Sequence, residues 1–170
     1  MEFNLPYKSL FRNLHANKVR YLVVGGVAMV LYGHVRFTYD LDLIVDLVLP
    51  NVLKFFKVMK QSGYVPWLPV QAEAFVNKSL RESWMGKRHM RVFSFSSTSS
   101  PWTGPVDVFV REPLPFKDMY RRKEVAKIGN IRIPIVSQKD LLFLKKRANR
   151  TKDRDDIDKL KKMIGFGKKE

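Results

Sequence analysis

The sequence predicts an α/β chain of the α+β kind, a small mixed β-sheet with flanking helices, and three features predict it. A four-residue apolar run, Tyr21–Val24, is long enough for a buried strand and stops at Gly25-Gly26, after which the spacing turns helical. Strand-like runs recur at 39–45, 90–96 and 105–110, and on both sides of Gly129-Asn130, a pair with hairpin chemistry. Helix-period segments open and close the chain. A length of 170 residues fits one domain. Its expected parts are a core at 1–136, including an N-terminal helix, and a C-terminal helical segment at 137–165 packed on it.

In chain order, 6–18 reads as an amphipathic helix, with Leu10, Phe11 and Leu14 on one side, Lys8, Arg12 and Lys18 on the other, and Pro6 near its start. After the first strand, Ala28, Met29 and Leu31 suit a short helix closed by Gly33 in the left-handed conformation. Pro50 begins another helix, apolar at Val52, Leu53, Phe56 and Met59, which Gly63 ends. Tyr64-Val65 is a short strand or turn, and 71–85 is read as one helix. The 96–104 stretch, rich in Ser, Pro and Gly, is a loop before the strand at 105–110. A loop with a short basic helix precedes the Gly129-Asn130 hairpin. Ser137 caps the helical C-terminal region, which bends near 149–151 and ends in a frayed tail.

Composition narrows the functional classes. Lys and Arg number 32 against 16 Asp and Glu, a formal charge of +16 that suits a polyanionic partner such as a nucleoside triphosphate or RNA. A generally basic surface would give the same count. With no cysteine, disulfide scaffolds, thiolate zinc sites and cysteine nucleophiles are excluded. His15, His34 and His89 are scattered without metal-ligand spacing, and no P-loop, G-x-S-x-G or dinucleotide fingerprint is present. The N-terminus lacks the apolar core of a signal peptide, and no apolar run reaches membrane-spanning length. The expectation is a cytoplasmic protein without membrane contact.

The chemistry centres on carboxylates. Thr38 to Val45 alternates from Tyr39 to Leu43, so Asp40 and Asp42 share one strand face, two rises or roughly 6.6 Å apart. Leu41 and Leu43 point the other way, into the core. Paired outward carboxylates beside a glycine turn can hold divalent cations, which prefer such oxygen ligands. Either piece alone also has an ordinary reading, as an edge-strand face or a plain turn.

The combination of strand, Gly-Gly, short helix and Asp-x-Asp between apolar residues resembles the core motif of the nucleotidyltransferase superfamily, the DNA polymerase beta-like fold. The segment G-x-x-R-x-T-x-D-L-D, Gly33 to Asp42, looks most like its AbiEii-type branch of toxin-like enzymes. The resemblance implies a third carboxylate on a later strand, for which Val106-Asp107-Val108 is the best match. It also extends to the C-terminal KDLLFLKKRANRTKDRDDIDKL, which is similar to the family's closing signature.

Carried over residue by residue, the resemblance implies that Asp40, Asp42 and Asp107 are both catalytic residues and metal ligands, with two Mg2+ or Mn2+ ions. Gly25 and Gly26 would let the backbone approach the phosphates. Lys145 would reach the triphosphate, Arg150 would support the site or bind phosphate, and Asp153 and Asp156 would orient them. Arg36 and Thr38 match the Arg-x-Thr that precedes Asp-x-Asp, with equal weight on a structural role in which Arg36 pairs a carboxylate and Thr38 fills the strand. Many relatives carry Ser where Gly26 stands, so no side-chain hydroxyl is expected there. For the C-terminal charges the bland alternative is a solvated helix face with ion pairs at i and i+3.

The implied activity is transfer of a nucleoside monophosphate from a nucleoside triphosphate, ATP for example, to an acceptor hydroxyl on tRNA or other RNA, a protein or a small molecule. The branch adds a toxin–antitoxin context with a protein partner. The alternative is an inactive module of the same fold that binds RNA or a protein. Arg81, Lys87, Arg88 and Arg91, interleaved with Trp84 and Trp102, could grip RNA. Equally, the tryptophans could belong to a core beside a solvated basic rim.

Overall fold

In the computed structural model, residues 7–99 and 102–166 are described, without the side chains of Arg88 and Phe166. Pro6, the centre of the 96–104 loop and the last four residues of the tail therefore lie outside the described residues. The chain opens with α1 (Lys8–Ala16), which buries Leu10, Phe11 and Leu14. Then come β1 (Tyr21–Val24), α2 (Gly25–Leu31), β2 (Leu41–Val45), α3 (Leu49–Gln61) and β3 (Tyr64–Pro66). The middle holds α4 (Ala72–Val76), α5 (Lys78–Arg88), β4 (Val92–Ser97), β5 (Val106–Phe109) and α6 (Phe116–Arg121). The hairpin strands β6 (Glu124–Ile128) and β7 (Ile131–Ile135) lead to α7 (Gln138–Ala148), a 3-10 turn at Thr151–Asp153 and α8 (Arg154–Phe166).

The strands form one mixed sheet in the order β3-β4-β5-β2-β1-β7-β6. The central pair β1 and β2 is antiparallel, while β2 with β5 and β1 with β7 are parallel. Every side chain of β1 is buried, as an unbroken YLVV run requires of a central strand. On one side of the sheet centre an aromatic cluster of Phe55, Phe75, Phe93 and Phe95 fills the core with edge-to-face contacts at 5.3–5.7 Å.

Two sequence expectations change, and two open readings close. The 71–85 helix is two helices, because Asn77 takes an extended conformation and its side chain caps α5 by accepting from the Leu80 amide. In α3 the buried apolar positions are Val52, Phe55, Val58 and Met59, so the helix is turned and Leu53 is exposed. Arg81 has a structural use: its guanidinium donates to the carbonyls of Phe75, Val76 and Val110 at 2.7–2.8 Å, tying α4 and α5 to the end of β5. Trp84 stacks within the core against Phe93, centroids 6.0 Å apart.

Asn149 ends α7 in the left-handed conformation (φ 48°), its amide bonded to the Lys145 carbonyl. That reversal folds α8 back against α7. No helix among the described residues is long and apolar enough to cross a membrane.

Candidate active site

Register builds the site. Val24 on β1 pairs with Asp42 on β2, Asp42 with Asp107 on β5, and Asp107 with Ser94 on β4. Residues opposite one another on neighbouring strands share a face, so Asp42, Asp107 and Ser94 form a row across the sheet. Their chain neighbours Leu41, Leu43, Val106 and Val108 are buried beneath it. Asp40 precedes β2 rather than lying within it. One carboxylate oxygen from each of Asp40, Asp42 and Asp107 lies within 4.8 Å of the others.

Crowding shows in their proton affinities. Burial, with the charges of Asp40 and Asp107 adding to it, pushes Asp42 up to about 7, although Arg150 and Lys145 pull the other way. Asp107 is also raised by burial and by Asp40, against the hydrogen bond from Ser94. Three oxygen donors whose negative charges oppose one another fit a divalent cation, which would relieve that repulsion.

Glycine at position 25 is required by both space and backbone. Gly25 has φ +67°, and an added Cβ would lie 2.1 Å from Asp42 Oδ2. The carboxylate therefore rests against bare backbone where β1 turns into α2. At Gly26 an added Cβ would lie 2.4 Å from the Thr38 hydroxyl. Thr38, in an extended segment outside any strand, fills the space a serine at 26 would need, and its own hydroxyl lies 3.5 Å from Asp40 Oδ1. The missing hydroxyl of position 26 is thus replaced in space by that of Thr38.

The C-terminal charges are placed by the reversal between α7 and α8. Lys145 is 3% exposed, its ammonium 3.0 Å from Asp153 Oδ1 and 2.7 Å from Asp156 Oδ2. Neither a solvated face nor an unengaged phosphate ligand describes it. Arg150 Nε donates to the other Asp153 oxygen at 2.7 Å, and Arg36 pairs with Asp156. Two buried carboxylates thus organise three cations. Burial would raise Asp153, but the hydrogen bonds from Arg150 and Lys145 outweigh it and hold the carboxyl below its usual range.

A recess of about 320 Å³ joins the two halves of the site, lined by Gly25, Asp42, Phe109, Leu144, Lys145 and Arg150 among others. Of the interleaved basic and aromatic residues, Arg91 alone among those described lines it. Lys87 and Trp102 are exposed, and the Arg88 side chain lies outside the described residues. The segment leading into the site alternates inward Arg36, Thr38 and Asp40 with outward Val35, Phe37 and Tyr39.

Two residues at the site escape sequence reasoning. The Ser94 hydroxyl donates to Asp107 Oδ1 at 2.6 Å and so fixes that carboxylate. The polar alternation of β4 was the available signal, but only the register with β5 assigns it a partner. Tyr7 donates to the Tyr39 carbonyl at 2.7 Å, and burial, with Tyr64 and Asp40 nearby, pushes its phenol up. Nothing in its flanking sequence marks it.

Comparison with solved structures shows that the fold is one found in nucleotidyltransferases. A candidate nucleotidyltransferase from Thermotoga maritima superposes with a TM-score of 0.56 at 11% identity, covering 94% of this chain and 91% of that one. The lincosamide antibiotic adenylyltransferase LnuA, solved with lincomycin bound, gives 0.57 at 18% identity, covering 91% and 95%. No protein-family model and no curated protein matches the sequence. At these identities the likeness establishes the fold.

Two expected results arise here. Ser94→Ala should leave the fold intact and weaken divalent-cation binding by about 10- to 100-fold, the usual effect of losing a residue that orients a metal ligand. Calorimetric titration of Mn2+ into both proteins measures it.

The second concerns pH. Because Asp42 keeps its proton up to about 7 in the folded protein against 3.8 ordinarily, the folded state binds more protons than the unfolded state between those values. Metal-free stability should therefore fall as pH rises toward and through about 7, and be greatest, for this group, below about 4. Thermal melts in EDTA at pH 6, 7 and 8 should show this decline, and Asp42→Asn should remove it. Asp153, held low, acts in the opposite sense only in more acidic solution.

Proposed function

We propose that the chain is a divalent-metal-dependent nucleotidyltransferase that moves a nucleoside monophosphate from a nucleoside triphosphate to an acceptor hydroxyl. The observation that carries this reading is the meeting of Asp40, Asp42 and Asp107 on a nucleotidyltransferase fold, beside bare backbone at Gly25 and a recess edged by Lys145 and Arg150. Asp40, Asp42 and Asp107 would hold Mg2+, or Mn2+ in its place, and the bound ions would supply Lewis-acid neutralisation of the triphosphate.

In the reaction the acceptor oxygen attacks the α-phosphorus, the bond to the bridging oxygen breaks, and pyrophosphate leaves. Asp107, held at Oδ1 by Ser94, offers its carboxylate for the acceptor's proton. Gly25, half-buried beside Asp42, leaves main chain within reach of phosphate oxygens, whereas Gly26 is buried under the Thr38 side chain and contributes through the turn it allows. Arg150, half-exposed at the recess, is the cation best placed for a phosphate, while Lys145 holds Asp153 and Asp156 and adds positive field. Arg36 serves as the partner of Asp156, and Thr38 fills the space beside Gly26. The +16 charge favours RNA among the acceptors.

The test is incubation with each α-labelled nucleoside triphosphate, Mg2+ and total RNA or cell lysate. Label should appear in a macromolecular or small-molecule product and be lost on adding EDTA. A protein that labels nothing with any of the four nucleotides, under conditions where it binds Mg2+, would refute the assignment.

A further inference from the structure

The far end of β1 carries a second recess, of about 460 Å³, lined among the described residues by five basic side chains and no acidic one. We propose that it is a separate binding site for a nucleotide-sized phosphate ester. His15 and Lys18 come from the end of α1 and the turn after it, Arg20 from the entry to β1, Lys123 from before β6, and Arg132 from β7. Arg132 stands directly across the hairpin from Lys127, which adds a further cation beside it. Between the charges the walls are apolar, formed by Val19, Tyr120, Val125 and Pro134. Cations around apolar walls suit a phosphate carrying a flat ring, and the volume falls in the range of small-ligand sites.

The cations differ in readiness. Arg20 is paired with Asp46 at 2.5 Å, and the Lys123 ammonium lies 4.1 Å from the Tyr120 ring centre while donating to the Tyr120 carbonyl. The side chains of His15, Lys18 and Arg132 have no hydrogen-bond or ion-pair partner among the described residues. Phosphate contacts would fall to these three first.

Tyr21 supplies the independent observation. It lines the recess and is 1% exposed, and its hydroxyl is the single buried side-chain polar atom without a hydrogen-bond partner among the described residues. Buried hydroxyls are costly to leave unpaired. The hydroxyl lies in the field of Tyr120, which also lines the recess, and a ligand oxygen seated against Tyr120 would give it an acceptor.

The recess is distinct from the carboxylates. Asp42 pairs with Val24, three residues on from Tyr21, which is about 10 Å along the strand. Likewise α1 runs from beside Tyr7, in the field of Asp40, to His15 at the recess. The proposal therefore stands whether or not the triad is catalytic.

The experiment is calorimetry of the full chain in EDTA with adenosine 5′-monophosphate, adenosine, inorganic phosphate and a short single-stranded oligonucleotide. The monophosphate should bind at one site more tightly than adenosine or phosphate. Competition by the oligonucleotide identifies a nucleotide within a strand as the source, and its failure identifies a free nucleotide. Lys18→Ala and Arg132→Ala should each weaken binding by about 10- to 100-fold, the range for a charged hydrogen bond. Tyr21→Phe should weaken it too while leaving the melting temperature unchanged or raised, since it deletes an unpaired hydroxyl. Lys57→Ala, an exposed lysine on α3, and Asp42→Asn should bind as the unaltered protein does. Absence of binding, or equal small losses at Lys57 and Arg132, would overturn the proposal, as would loss of binding in Asp42→Asn with Arg132→Ala unaffected.

Discussion

Asp42→Asn is expected to lower nucleotidyl transfer by about a thousandfold or more, while the metal-free protein melts at the same temperature or higher. Withdrawing one ligand from a two-metal site forfeits several kcal/mol of transition-state charge stabilisation, and about 1.4 kcal/mol is tenfold in rate. The stability half of the expectation has a separate cause. Asp42 carries its charge at a cost, imposed by burial and by Asp40 and Asp107, and that cost is what raises it to about 7. Asparagine keeps the shape and drops the charge, so repulsion within the row is relieved. Steady-state transfer with a labelled triphosphate, alongside melts in EDTA at pH 8, reads both parts. An Asp42→Asn protein as active as the unaltered one would end the metal-site reading.

Lys145→Ala is expected to be the most destabilising of the single changes considered, at about 3 kcal/mol. Breaking a buried ion pair by removing one partner costs roughly 3–5 kcal/mol, because it strands an uncompensated charge. Here the lower end applies. Asp153 and Asp156, 1% and 3% exposed, would lose a shared cation, yet Arg150 would still pair the first and Arg36 the second. Lys146, exposed and about 100° further round the helix, is the built-in control and should change stability by no more than about 0.5 kcal/mol. Urea unfolding of the two alanine variants makes the comparison. Equal small losses would mean that the Lys145 cluster contributes no more than surface charge.

The sequence disclosed the parts of the site that are local. An apolar run broken by Gly-Gly, and Asp-Leu-Asp with leucines facing inward, mark β1, α2 and β2 within one stretch. Alternation around Asp107 placed it on a strand with its carboxylate away from the core. What sequence could not supply was register. Ser94 looks like any outward serine until β4 lies beside β5, and only then is it within hydrogen-bond distance of Asp107. The same holds for Lys145. It is one lysine in a basic run, and its burial follows from carboxylates 8 and 11 residues later that return only because Asn149 reverses the chain. Arg81 and Trp84 show a choice that sequence left open. Their interleaving of charge and aromatic ring left an RNA grip and a core tryptophan equally open, and tertiary packing uses the arginine to collect three carbonyls and the indole to extend the phenylalanine cluster. Asn77 was legible in principle, as an asparagine three residues before the amide it caps, but the helix-like pattern on both sides concealed the break.

The most direct measurement is Mn2+ binding to the full chain, followed by electron paramagnetic resonance with and without a non-hydrolysable nucleoside triphosphate. The protein should bind Mn2+, the triphosphate should tighten that binding, and Asp42→Asn and Asp107→Asn should each abolish the tightening while Lys146→Ala does not. Binding should also be weaker at pH 6 than at pH 8, because protons compete at Asp42. Mn2+ binding that survives loss of both Asp42 and Asp107, or that is indifferent to the triphosphate, would contradict the claim that these carboxylates form a metal-dependent nucleotide site.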